Sequence, residues 1–303
     1  MNRVIAVVGA TASGKTALSL DLAEYLNSEI ISCDSMQIYR HMNIGTAKPT
    51  IDEMRGIVHH MIDIAEPYDN FSCADYADMA KRCVSEMHAA NKTPIFCGGT
   101  GLYLDSVLTD NTFSTEKTDM ELREELLSQP PDELYKQLRE IDSESAEATH
   151  PNNVKRVVRA LEIYHTTGIT KTQWDKESRL TGDKYDAVII GLDYRNRDTL
   201  YARIDRRVDM MISDGLIDEV RSLDIDRLMT STAGQAIGYK EVIRYLKNQC
   251  SYDEMIAEIK LFTRRYAKRQ LTWFRRNKNI VWYHGEDFND DITKFKQIVN
   301  NLF

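Results

Sequence analysis

The apolar run Val4-Ile5-Ala6-Val7-Val8 passes directly into Gly9-Ala10-Thr11-Ala12-Ser13-Gly14-Lys15-Thr16, and this junction leaves few folds open to the chain. It reads as strand, glycine loop and helix, and the loop fits G-x-x-x-x-G-K-S/T at every fixed position. Gly9 and Gly14 permit turn conformations that a side chain would block. Successive main-chain N–H groups then face one concavity at the positive end of the following helix, which suits a di- or triphosphate. Lys15 supplies a mobile cation, and the Thr16 hydroxyl suits a Mg²⁺ ion shared with phosphate oxygens.

Downstream, Leu18, Leu22, Ala23 and Leu26 give a helix with one apolar face. A short strand over 29–33 then ends at Asp34. Ligands of open α/β sheets gather beyond the carboxyl ends of the strands, so Asp34 and the phosphate loop are expected to face one crevice. The alternative is an aspartate that caps the next helix. A polar loop runs to Pro49. His59 and His60 have no third ligand at metal spacing and read as packing or hydrogen-bonding residues. A helix is expected over 71–90 and a strand over 94–97. That strand leads to a second glycine loop, Gly98-Gly99-Thr100-Gly101, and ends in glycines where many phosphate-loop enzymes place a magnesium-binding carboxylate.

Residues 114–147 hold eleven acidic against four basic residues, with Pro130-Pro131 between two helical patterns. Lys155, Arg156 and Arg159 follow on one helix, as a solvated face or as a clamp on phosphates. Strand signals return over 185–192. The expected fold class is therefore α/β, a phosphate-loop NTPase-like parallel sheet flanked by helices (1–111 and 184–303) with an all-helical insertion (112–183). Arg203 and Arg207 share a helix face, with Asp205 and Asp209 as their simplest partners. A strand over 279–284 and a helix over 290–302 close the chain.

Net charge is −8, which alone argues against a nucleic-acid partner. Residues 260–278, however, carry eight Lys and Arg and no acid, interleaved with Phe262, Tyr266, Trp273 and Phe274. Arg264, Lys268 and Arg275 fall on about one side of a helix, a basic ridge fit for a polyanion. Cys33, Cys73, Cys83, Cys97 and Cys250 form no C-x-x-C pair, so neither a disulfide framework nor a structural zinc site is expected. The N-terminus enters a strand without the segments of a signal peptide and no apolar run reaches bilayer length, so a cytoplasmic location is expected.

Together the motifs G-A-T-A-S-G-K-T, D-S-M-Q-I-Y-R, N-I-G-T-A-K-P, G-G-T-G-L-Y, H-P-N-N with R-A-L-E, I-G-Y-K-E and R-Y-A-K-R-Q-L-T-W-F-R-R resemble the tRNA dimethylallyltransferases, or tRNA isopentenyltransferases, over nearly the whole chain. The usual G-P-T at the loop start is here Gly9-Ala10-Thr11, and the zinc-finger extension of eukaryotic members is not seen, so the resemblance is to the bacterial type. It implies transfer of a dimethylallyl group from its diphosphate to N6 of adenine 37 of tRNA, with Mg²⁺. By the resemblance, Thr11 to Thr16 contact the diphosphate with Arg207 beside Lys15, and Asp34 is the general base. Asp34, Ser35, Met36 and Gln37 touch the target base and its neighbours. Thr100, Arg123, the segment Lys155-Arg156-Val157-Val158-Arg159 and the segment Ala236-Ile237-Gly238-Tyr239-Lys240-Glu241 are implied tRNA contacts. The target base is expected to leave its stack to reach Asp34. The rivals are a kinase passing the γ-phosphate of ATP to a small acceptor, and a non-catalytic RNA-binding protein. A monomer is expected, since RNA binding needs no large apolar interface.

Overall fold

The computed structural model describes residues 2–109, 119–180 and 184–287. The helix expected over 290–302 lies outside them. The chain divides into two units, Met1–Leu108 with Tyr185–Phe303, and Thr109–Lys184.

In the first unit a six-stranded, all-parallel sheet runs in the order β3-β2-β4-β1-β5-β6. Its strands are β1 (Arg3–Gly9), β2 (Ile30–Ser32), β3 (His59–His60), β4 (Ile95–Gly98), β5 (Asp186–Asp193) and β6 (Val281–His284). The apolar run that opens the chain takes the central position because a strand buried on both faces must be apolar throughout. Its side chains alternate: Val4, Ala6 and Val8 pack with Phe96, Tyr76 and Val107, while Ile5 and Val7 pack with Leu18 and Leu22. The first layer holds α2 (Cys73–Ala89) and α3 (Gly101–Leu108), and the second α1 (Lys15–Leu26).

Strand β3 was not expected. His59 and His60 are two residues of sheet edge, and their imidazoles bind the Ile57 carbonyl and the Glu29 carboxylate. A pair of half-buried histidines offers no periodicity from which to read a strand.

A further helical layer comprises α9 (Arg197–Ser213), α10 (Leu216–Arg221), α11 (Ile225–Thr230), α12 (Tyr239–Leu246) and α13 (Tyr252–Phe274). It buries Val208, Leu216, Tyr239 and Ile259 against Ile38 and Met42 of the loop after β2. That loop is pinned by Glu219, which accepts the N–H groups of Asn43, Ile44 and Gly45 at 2.8, 2.7 and 3.0 Å and the Tyr239 hydroxyl. Lys48, almost wholly buried, donates to the Tyr39 carbonyl, Asn43 and Asp63. The N-I-G-T-A-K segment thus owes much of its pattern to loop anchoring.

The second unit holds α4 (Met120–Leu127), α5 (Pro131–Ile141), α6 (Ser143–Glu147), α7 (Val154–Thr167) and α8 (Lys171–Leu180) around Leu134, Leu138 and Leu161. Buried Asp142 caps α6 through Ser145 N and accepts from Thr172 N and Oγ1, so it ties α6 to α8. Among the described residues no helix is long and apolar enough to cross a membrane, and all five cysteines are free.

Candidate active site

The carboxyl ends of β1, β2 and β4 lie side by side, since Val8 is level with Gly98 and Ser32 with Cys97. Each strand then turns where a side chain would obstruct it. A Cβ on Gly9, whose φ is +142°, would lie 2.2 Å from the Leu192 carbonyl oxygen, and one on Gly98 would lie 2.0 Å from that of Cys33. The Gly9–Thr16 loop sits on Tyr194, Leu200, Ile204, Ala267 and Leu271 through Ala10 and Ala12. Helix α1 begins at left-handed Gly14 with no side-chain cap, so its first N–H groups face the loop cavity. Ser13 Oγ is buried at the same place and lacks a hydrogen-bond partner.

Three cations converge on this loop. Lys15 Nζ donates to the Ala10 carbonyl at 2.6 Å, Arg203 Nε to the Ala12 carbonyl at 3.0 Å, and Arg207 Nη1 to Thr11 Oγ1 at 3.3 Å. Burial lowers the Lys15 pKa to about 8; the Arg207 charge adds to the fall, while Cys97 and Asp34 oppose it. Burial likewise lowers Arg207, with Arg203 adding to the effect. Asp205 and Asp209, the simplest alternative partners of these arginines, have other partners among the described residues. Those carboxylates turn to Arg264 and Lys260 of α13, which leaves Arg203 and Arg207 facing the loop.

Asp34 lies two residues past the β2 end, and its Oδ1 accepts the Met36 N–H at 2.9 Å. It therefore fixes a tight turn, since no helix follows it to be capped. Burial raises its pKa, against the pull of the Met36 N–H and of Lys15. Thr100 Oγ1 accepts the Ser35 N–H at 3.1 Å, and the Thr100 N–H donates to the Cys33 carbonyl at 3.1 Å, so the second glycine loop is locked to the β2 end. Gln37 is committed to the scaffold: Oε1 accepts from Ser32 Oγ, and Nε2 donates to the Thr46 and Ala47 carbonyls.

A pocket of about 230 Å³ joins these parts. Thr11, Arg207, Asp34 and Ser35 supply its polar lining. Met36, Val208, Met211, Ile237 and Ile259 form an apolar wall, and Ala236, Gly238, Tyr266 and Arg269 also line it. Burial, then the Asp34 charge, push the Tyr266 hydroxyl up to about 12.

Four of the residues implied as tRNA contacts have buried side chains. Val157 and Val158, each 1% exposed, lie on the inner face of α7, and Tyr239 and Glu241, 0% and 1% exposed, lie inside the first unit. Glu241 there accepts the Gly238 N–H at 2.7 Å to start α12, and Tyr239 bonds Glu219. These side chains build the scaffold under their neighbours. Lys155 and Arg156 are exposed. Arg123 and Arg159 both bind Glu162, which is 2% exposed, with the Arg123 Nε contact at 2.6 Å. Lys240 lies over the Phe262 ring.

Two members of the expected ridge are ion-paired. Arg264 forms a two-point ion pair with Asp205, its Nε contact at 2.9 Å, and Arg275 binds buried Asp193 at 2.7 Å. The ridge meets acids from α9 and β5 that its own segment does not contain. Lys268 and Arg275 are both exposed, and Lys268 alone of the three makes no ion pair among the described residues.

Gln270 escaped the sequence reading. Only 5% exposed, it accepts the Thr11 N–H at 2.8 Å and donates to the Gly99 carbonyl at 3.1 Å, so it bridges the two glycine loops. A glutamine among arginines carries no charge or periodicity signal; only its place on the inner face of a basic helix hinted at it. Gln270→Ala leaves two buried backbone groups unpaired, at about 1–3 kcal/mol each. The expected result is a thermal midpoint lower by roughly 2–4 °C for every kcal/mol of stability removed, read by calorimetry.

The IPP transferase family model matches residues 37–277, which includes Asp34's neighbours Gln37 to Ala47, the second glycine loop and α13. This chain belongs to the IPP transferase family. Among curated relatives it is 47% identical to the tRNA dimethylallyltransferase of Anoxybacillus flavithermus, over 99% of this chain and 94% of that one. It is 46% identical to that of Bacillus subtilis, over 99% and 96%. Among solved structures, a tRNA isopentenylpyrophosphate transferase of Staphylococcus epidermidis superposes with a TM-score of 0.73 at 40% identity, over 100% of this chain and 99% of that one. A eukaryotic dimethylallyltransferase acting on tRNA gives 0.85 at 28% identity, over 99% and 79%. The kinase alternative finds no support in these relatives.

Proposed function

We propose that this IPP transferase moves the dimethylallyl group of dimethylallyl diphosphate to N6 of adenosine 37 in tRNA and releases diphosphate. The observation that carries this reading is the mixed lining of one pocket: phosphate-loop Thr11 with Arg207, an apolar wall, and the Asp34 carboxylate. A prenyl diphosphate has an anionic head and an apolar tail in that order, whereas the sugar of a nucleoside triphosphate needs polar partners along the wall.

An exocyclic adenine amine is a weak nucleophile because its lone pair is delocalised into the ring. As N6 attacks C1 of the dimethylallyl group, the C1–O bond breaks and its electron pair leaves on diphosphate. Asp34 takes the proton that N6 sheds. Loop N–H groups, Lys15 and Arg207 hold the charge that develops on the leaving group. The raised pKa of Asp34 makes it a better base, and its bond from Met36 fixes its aim.

For Mg²⁺, the donor set is a fair match. Thr16 is exposed beside the uncapped α1 start, and orphaned Ser13 Oγ marks a phosphate-oxygen position. An ion held by Thr16 and substrate oxygens needs no cage of protein carboxylates. When bound, the ion would neutralise charge on the diphosphate.

Ser35, Met36, Thr100, Ala236, Ile237 and Gly238 receive the extruded base, and exposed Lys155 and Arg156 bind tRNA phosphates. Arg123 and Arg159 contribute from their Glu162 anchor. The enzyme works as a cytoplasmic monomer. The test measures diphosphate release from dimethylallyl diphosphate with and without unmodified tRNA. RNA-dependent release is expected; ATP turnover on a small acceptor, with no release of this kind, would overturn the reading.

A further inference from the structure

Next to the neutralised ridge on α13 and the turn after it runs a second row of cations. Arg265 lies over the Phe262 ring at 5.7 Å, Arg269 over Tyr266 at 5.5 Å, and Arg276 over Trp273 at 4.1 Å. The spacing is the same each time: the guanidinium rests on the aromatic three residues earlier, as helical side chains that lean toward the N-terminus allow. All three arginines are exposed and make no ion pair among the described residues. The acids that pair with Arg264 and Arg275 come from distant segments.

Two of the three rings, Tyr266 and Trp273, lie at the active site or its second glycine loop. Tyr266 and Arg269 line the pocket that holds Asp34. Trp273 Nε1 donates to Asp105 Oδ2 at 2.9 Å, and a Cβ on Gly101 would lie 2.1 Å from its indole. The row therefore passes along the pocket edge and the second glycine loop. Arg265 and Arg269 lie about 6 Å apart along the helix axis.

We propose that Arg265, Arg269 and Arg276 form the track that holds the single-stranded RNA backbone flanking the target adenosine; this rests on the function proposed above. Charge complementarity selects the occupant: Arg265 and Arg269, which make no ion pair among the described residues, and Arg276, whose charge lies near the Asp105 carboxylate, form a local cluster of exposed guanidinium groups on a protein of net charge −8. Stacking restrains each guanidinium before binding, so less side-chain freedom is lost when a phosphate docks. Arginine suits this task because it stacks and hydrogen-bonds at once.

The test is a titration of the full-length protein with an unmodified anticodon stem-loop RNA at several KCl concentrations, with Arg265→Gln, Arg269→Gln and Arg276→Gln combined. The slope of log K against log[KCl] is expected to shrink by about 2, because each phosphate neutralised on a single strand accounts for roughly 0.7 of it. If the triple variant does not fold, each single variant is expected to remove about 0.7 of slope. Arg264→Gln serves as the comparison and leaves the slope as it was. An unchanged slope in the folded stripe variants, or an equal fall in Arg264→Gln, would overturn the track. Dimethylallyl transfer by the wild-type protein to the same RNA is measured in parallel. Its absence strikes the proposed function, while an unchanged slope with transfer intact strikes the track alone.

Discussion

Asp34→Asn is expected to lower kcat by about 10²- to 10⁴-fold, the range for loss of a positioned general base. The amide keeps the acceptor oxygen that binds the Met36 N–H, so the turn after β2 and the pocket wall remain. RNA affinity is therefore expected to stay within a few-fold of wild type. The pH profile gives a second reading. Burial raises the Asp34 pKa above the ordinary 3.8, and only the carboxylate can take the proton, so wild-type kcat falls as pH drops through that raised value. In Asp34→Asn this acid limb should vanish. Wild-type turnover in the variant, measured at saturating RNA, would remove Asp34 as the base.

Lys15→Ala is expected to cost about 10²–10³ in kcat/KM, as for the removal of one donor to a developing oxyanion. The lysine is buried against Arg207, with its pKa lowered to about 8, so diphosphate binding must restore and pair its charge. The sign follows from linkage. Between about pH 8 and the ordinary 10.5, the unfolded chain holds a proton that the folded one lacks, so this group makes stability rise with pH across that window. A bound anion reverses the bias by favouring the ammonium. Inorganic diphosphate should therefore raise the thermal midpoint more at pH 7 than at pH 9.5. Lys15→Arg should keep the shift at both pH values, because a guanidinium does not deprotonate there. Equal wild-type shifts at the two pH values would contradict the role given to Lys15.

Much of the first unit was legible because its signals are local. A both-faces-buried strand must be apolar throughout, and the glycines at 9 and 14 mark a turn that the backbone needs at those positions. The strand expected over 29–33 put Asp34 at the carboxyl edge of the sheet, where the register of β2 against β4 also puts the β2 end. What stayed hidden depends on tertiary partners. Asp205 and Asp193 neutralise Arg264 and Arg275 from 59 and 82 residues away, which no window over 260–278 contains. Gln270 and Glu219 act by binding backbone N–H groups of remote loops, and neither leaves a pattern in the chain. Val157 and Val158 were legible in principle. Flanked by Arg156 and Arg159, they sit where a 3.6-residue period turns the helix inward, and motif membership obscured that period.

The most direct measurement incubates the purified protein and Mg²⁺ with unmodified tRNA and dimethylallyl diphosphate, then weighs the nucleosides of the digested RNA by mass spectrometry. The expected result is an adenosine heavier by one dimethylallyl group in place of a hydrogen, formed without ATP and lost in Asp34→Asn. Adenosine of unchanged mass, with ATP consumed on a small acceptor instead, would contradict prenyl transfer and return the Gly9–Thr16 loop to nucleotide chemistry.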